Sequence, residues 1–128
     1  MLAEFVKTAD WNKEKHVPVI DCATEAAAGE TLAVTVTVGK QIPHPNTPTH
    51  FIQWIALHFV PDGSKTSIEL ARCEFSAHGA AAPGATGPAL TGTSATFSMT
   101  LAVSGKLYAT AYCNIHGLWS SEREIIVK

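Results

Sequence analysis

The chain has 128 residues, of which 46% are hydrophobic and 16% charged, a balance that suits one folded domain over residues 1–128 and excludes disorder or a membrane span. A net charge of -2 with no basic run or face argues against non-specific binding to nucleic acid or to a membrane surface. Its cysteines, Cys22, Cys73 and Cys113, are odd in number and widely spaced, which excludes a disulfide framework or a zinc ribbon and leaves roles for single thiols.

The opening residues MLAEFVKTADWNKEKH carry early acids and no apolar core before a small-residue cleavage site, so no signal peptide and a cytoplasmic location are expected. Helix signals are almost absent beyond them. A strand is predicted at Val17–Asp21. At Thr31–Val38, Leu32, Val34, Val36 and Val38 alternate with Thr35 and Thr37. Further strands are expected at His50–Val60, Ser67–Phe75, Phe97–Val103 (with Phe97, Met99, Leu101 and Val103 on one face), Lys106–Cys113 and Arg123–Lys128. The segment Ser76–Ser94 is rich in Gly, Ala and Pro and is read as a long loop. About seven short strands with no helix to cover a sheet imply an all-β, immunoglobulin-like antiparallel β-sandwich, with a barrel as the alternative.

Three local elements carry chemistry. Glu14-Lys15-His16-Val17-Pro18 places a histidine beside a carboxylate and a cation just ahead of a strand; alone it reads as a polar turn. Pro43-His44-Pro45-Asn46-Thr47-Pro48-Thr49-His50 sets two histidines in a loop whose prolines fix backbone angles, which lowers the entropy lost in holding a metal. Cys113-Asn114-Ile115-His116-Gly117 puts a thiol and an imidazole within reach of one ion from a tight turn. Each is weak by itself. Together they supply four histidines and a thiol, all at strand ends or loops, where a sandwich gathers residues distant in sequence.

Ligand count narrows the metal. Structural zinc takes four ligands, and four imidazoles with a thiolate make five. A blue-copper site would need an axial Met after its Cys and His, whereas Met1 and Met99 both precede Cys113. Four imidazoles in a plane with an axial thiolate would leave the sixth position of an iron open for redox chemistry on a small molecule.

E-K-H-V-P, then H-P-N-T-x-x-H-x-I-x-W, then C-N-x-H-G strongly resemble superoxide reductases of the neelaredoxin class, in the desulfoferrodoxin family, over nearly the whole chain. The resemblance implies one iron per chain, cycling between Fe2+ and Fe3+, with His16, His44, His50 and His116 as equatorial ligands and Cys113 as the axial thiolate. It implies that Glu14 closes the sixth position of ferric iron and that Lys15 is the cation at the open face. The expected reaction is one-electron reduction of superoxide to hydrogen peroxide, with a rubredoxin-like electron donor and a homotetrameric assembly. The cysteine-rich N-terminal module of two-iron members does not occur in this sequence. Many members carry a second, non-ligating histidine where this chain has Phe51.

The remaining candidates are read as structural. His58 lies roughly 26 Å from His50 at strand rise and cannot share a metal with it. His78 is read as a solvated loop histidine, and Cys22 and Cys73 as small buried residues. Trp54 and Trp119 are expected to pack around the site. Two rivals remain at this point, a cupredoxin-like electron carrier and a metal-free immunoglobulin-like interaction domain.

Overall fold

A computed structural model describes residues 1–83 and 85–128. After a 3-10 turn at Leu2–Phe5, the strands are β1 (Pro18–Asp21), β2 (Glu25–Ala26), β3 (Thr31–Val38), β4 (Ile52–Pro61), β5 (Ile68–Glu74), β6 (His78–Ala80), β7 (Thr86–Leu90), β8 (Ser94–Thr100), β9 (Gly105–Cys113) and β10 (Gly117–Val127). A three-stranded sheet, ordered β1-β3-β8, and a five-stranded sheet, ordered β2-β10-β9-β4-β5, contribute to one core, and β6 pairs with β7 in a small hairpin. All pairings are antiparallel except the short β2–β10 contact. The protein is thus all-β, as the alternation implies.

The period-2 pattern decides which side chains enter the core. Leu32, Val34, Val36 and Val38 of β3 are buried and meet Ile55, Leu57 and Phe59 of β4 and Leu107, Ala109 and Ala111 of β9 in one cluster. Each such Val, Leu, Ile or Phe side chain, removed from water, contributes about 1.5–3 kcal/mol. On the outer face of β3, Thr35 and Thr37 share hydroxyl hydrogen bonds with Thr96 and Ser94 of β8, at 2.8 and 3.1 Å.

The structure corrects the sequence reading in several places. Ser76–Ser94 is not wholly a loop, since it contains β6 and β7; small, weakly patterned residues hid a hairpin that pairing alone defines. The last strand starts at Gly117 rather than Arg123, because Ser120, Ser121 and Glu122 are held by the β9 ladder rather than by an apolar face. β8 begins at Ser94 and stops at Thr100, leaving Val103 51% exposed. His50 precedes β4 in a Thr47–His50 turn, and the two-residue β2 carried no pattern.

Strand pairing places the site. Pro18 at the start of β1 pairs with Val38 at the end of β3, and Ile52 at the start of β4 pairs with Cys113 at the end of β9, which turns directly into β10. The segments bearing His16, His44, His50, Cys113 and His116 therefore leave the same end of the sandwich. Arg123 Nη1 donates to the Ile20 carbonyl at 2.9 Å and Ser121 Oγ donates to the Pro18 carbonyl, latching β1 to β10 across the two sheets.

Candidate metal centre

His16, His44 and His50 are each locally built to turn one ring nitrogen toward the site. After β3, Gly39 has a φ of +80°, and a Cβ there would stand 2.6 Å from the His44 main-chain nitrogen; glycine alone lets the chain double back to carry His44 inward. His44 Nδ1 donates to the Pro45 carbonyl at 2.6 Å, which leaves its Nε2 as a bare lone pair, buried without a partner. His16 Nδ1 donates to Glu14 Oε1 at 2.6 Å, and the same oxygen accepts the His16 main-chain N–H at 2.9 Å, so His16 offers Nε2. His50 sits in a turn closed by Thr47, and its Nε2 is also buried without a partner.

Cys113 is the last inward-facing residue of β9 and is fully buried. Asn114, Ile115 and His116 form a three-residue hairpin loop that Gly117 closes at a φ of +80°. The turn brings the His116 main-chain N–H to 3.4 Å from Cys113 Sγ and His116 Nδ1 to 3.6 Å from it. Asn114 joins this loop to the segment after His50: Oδ1 accepts from Phe51 N at 2.8 Å, Nδ2 donates to the Thr49 carbonyl at 2.9 Å, and its main-chain N–H donates to the Phe51 carbonyl at 3.2 Å.

The imidazoles form a closed ring. Successive centroids lie 4.8 Å apart for His16–His44, 4.8 Å for His44–His50, 5.0 Å for His50–His116 and 4.7 Å for His116–His16, while His16 and His50 face each other at 6.4 Å. These are close to the sides and diagonal of a square. Donor atoms of His16, His50, Cys113 and His116 all lie within 4.8 Å of one another, and His16 Nε2 is 3.2 Å from His116 Nδ1. His44 lies outside that tightest group, but its ring completes the square. Four imidazoles and a thiol converging on one point form a donor set suited to a transition metal.

The electrostatics favour metal over protons. Burial pushes His44 down to about 4 against the raising effect of the Pro45 carbonyl, and the charges of His16, His50 and Lys15 add to the lowering. Burial also lowers His16 in spite of Glu14, and lowers His50, where the His116 and Lys15 charges add to the effect. For Glu14, burial acts upward but hydrogen bonds from His16 outweigh it, holding the carboxyl below its usual range. Neutral imidazoles and an ionised carboxylate are the forms that serve a metal.

Glu14 therefore lies against His16 rather than over the ring, and Lys15 bears on the ring through its charge. Trp119 packs on the site, stacking on His16 at 4.8 Å and 14°, whereas Trp54 stacks on Tyr112 beneath Arg72, on the outer face of the sheet. His58 stays apart beside Glu69. Cys22 and Cys73 pack partly buried against the core, and burial pushes the Cys22 thiol up. His78 is not a solvated loop residue; it is half-buried in β6 with both ring nitrogens engaged. Sequence reasoning also passed over Asn114, whose place between the cysteine and histidine was the available signal, and Lys7. Lys7 pairs with Trp119 in a short bridge, and its Nζ donates to the His116 carbonyl at 3.4 Å.

Fold and site define an antiparallel β-sandwich with a cluster of histidines and one buried cysteine thiol at one end. The chain belongs to the desulfoferrodoxin family, whose model matches residues 8–122. It is 44% identical to a neelaredoxin of Megalodesulfovibrio gigas, covering 99% of this chain and 98% of that one. A superoxide reductase of Pyrococcus furiosus is 46% identical over 95% of this chain and 97% of its own length. The solved structure of the superoxide reductase (neelaredoxin) from Archaeoglobus fulgidus in the reduced form superposes with a TM-score of 0.87, at 50% identity, over 95% of this chain and 98% of that one. No helix among the described residues is long and apolar enough to cross a membrane.

Proposed function

We propose that this chain is a superoxide reductase, a single domain that holds one iron through His16, His44, His50, His116 and Cys113. The observation that carries this reading is the near-square of imidazoles, two of whose Nε2 atoms are buried with no partner, beside a buried thiol. Unpaired buried nitrogens are costly unless a ligand satisfies them. Family membership favours iron over the copper of a cupredoxin-like carrier.

Bound there, iron would supply the single electron that, with two protons, converts superoxide to hydrogen peroxide. The chain's own groups do the rest. The positive charge of Lys15 draws the anion to the ring against a net charge of only -2. Its Nζ can hold the water that delivers protons to the product. Glu14 fixes His16 through Nδ1 in the arrangement described above, and its carboxylate would be the anionic group available to a ferric ion, its charge offsetting that of the oxidised metal. A rubredoxin-like carrier returns the electron, and the protein works as a homotetramer in the cytoplasm.

The test combines metal analysis, visible and EPR spectra, and a superoxide reduction assay with a reducing carrier. High-spin iron with a thiolate charge-transfer band, together with peroxide formed without dioxygen release, is the expected result. Type 1 copper, or no bound metal, would overturn the reading.

A further inference from the structure

His78 lies in the Gly- and Ala-rich segment that appears featureless in sequence, yet it is among the most fully engaged side chains near the centre. Its Nδ1 is 3.0 Å from Asn46 Oδ1 and its Nε2 is 2.8 Å from the Phe75 carbonyl oxygen. The orientation of the Asn46 amide is fixed, because its Nδ2 donates to the Thr91 carbonyl at 2.6 Å and so turns Oδ1 toward the imidazole. Both partners are acceptors, so both edges of the His78 ring face groups that require a donor. Its flat face stacks on Phe51 at 3.8 Å and 10°.

These contacts all lead to one loop. Asn46 stands between His44 and His50, and Phe51 follows His50 directly. The loop is otherwise held at the His50 end by Asn114 and by the Thr47–His50 turn, while its middle is tied through Asn46 to His78 and Thr91. Among the described residues, His78 bonds or stacks with Asn46, Phe75 and Phe51 rather than with the four histidines of the square. From this geometry we propose that His78 is a positioning residue of the metal centre: it sets the loop carrying His44 and His50 by gripping Asn46 at its edge and Phe51 on its face. The proposal rests on the metal reading of the site and adds to it a residue that acts only through others. Partners that bond a ligand directly are worth about 10–100-fold in metal affinity, and a residue one contact further out is expected at the lower end of that range.

The test uses the full chain, with Co2+ and Fe2+ as probes. His78→Phe keeps an aromatic face for Phe51 but removes both ring nitrogens; His78→Gln restores an amide donor; Asn46→Ala removes the partner at one edge. For each, thermal melting of the metal-free protein is measured beside Co2+ and Fe2+ affinity by chelator competition and the ligand-field spectrum of the Co2+ form. Folded His78→Phe is expected to bind Co2+ about 10-fold or more weakly with shifted bands, and His78→Gln to recover much of the loss. The double variant should lose less than the sum of the two single losses, because both break the same contact. If His78→Phe does not fold, His78→Gln and Asn46→Ala decide the matter, and wild-type affinity and bands in Asn46→Ala overturn the proposal. Losses that track only the melting temperature, with unchanged bands in the folded fraction, also overturn it. Wild-type chain that binds neither metal defeats the metal reading itself, whereas a wild-type site that binds while His78→Phe is unchanged defeats only the role of His78.

Discussion

Glu14 Oε1 lies 2.6 Å from His16 Nδ1, and the same oxygen also accepts the His16 main-chain N–H. A carboxylate two residues away thus fixes both the backbone and the ring of His16. Removing it has two separable effects. Glu14→Ala is expected to weaken iron binding by about 10-fold through loss of ring orientation. At saturating iron it leaves superoxide reduction largely intact but changes the ferric visible spectrum. Competition titration and spectra of Glu14→Ala and Glu14→Gln check this, with Glu14→Gln retaining affinity because its amide oxygen still accepts from Nδ1.

Cys113 is fully buried at the end of β9, so its removal costs both packing and chemistry. Cys113→Ala should abolish superoxide reduction and the thiolate charge-transfer band while lowering the stability of the metal-free fold by only about 1 kcal/mol. Denaturant melts separate the two losses. Retained activity in the folded variant would sink the assignment of the thiolate.

Asn114 joins two ligand-bearing loops through Thr49 and Phe51. Asn114→Ala leaves the Phe51 N–H and the Thr49 carbonyl without these partners, at an expected cost of about 1–3 kcal/mol. Because the loops carry His50 on one side and Cys113 and His116 on the other, metal affinity should fall together with stability. Asn114→Asp, which keeps the acceptor for Phe51, should be milder; equal losses in both variants would refute the bridging role.

The pH dependence of the metal-free protein follows from the buried histidines. His44 is pushed down to about 4 in the folded state, against an ordinary value of 6.5. Between those values the unfolded chain binds a proton that the folded chain does not, so stability rises with pH. The contribution is fully present above about pH 6.5 and is lost as pH falls toward 4, with a ceiling of about 3 kcal/mol for His44 alone. His16 and His50 are also lowered and act in the same direction, and Glu14 extends the loss to still lower pH. Denaturant melts at about pH 7.5, 5.5 and 4.5 should show stepwise loss. His44→Phe should flatten the profile, and equal stability across that range would contradict the burial of neutral imidazoles.

Much of the sandwich was legible because small and aliphatic residues alternate with Thr, Lys and Tyr in β3 and β9, which places the inward positions of both strands in the buried interior. The hairpin of β6 and β7 was not, since its Ala, Gly and Pro residues carry no period and its existence depends on pairing rather than burial. The site residues were legible as types at strand ends. What a linear string could not show is direction: that Glu14 turns to His16, that His78 faces Asn46, and that Trp54 points away from the centre while Trp119 stacks on it. Those depend on which face of a strand a residue occupies and on contacts between segments far apart in sequence.

Cys113 pairs with Ile52 across β4 and β9, and both are buried in the same cluster as Leu57 and Val36. The sulfur is thus held at the end of a core strand, with packed hydrocarbon behind it and the His116 main-chain N–H at 3.4 Å. Ile52→Val, which removes a buried methylene, would loosen the packing around that sulfur. Under the role proposed for Cys113, the side chains that stabilise the core are also those that surround the metal-binding sulfur.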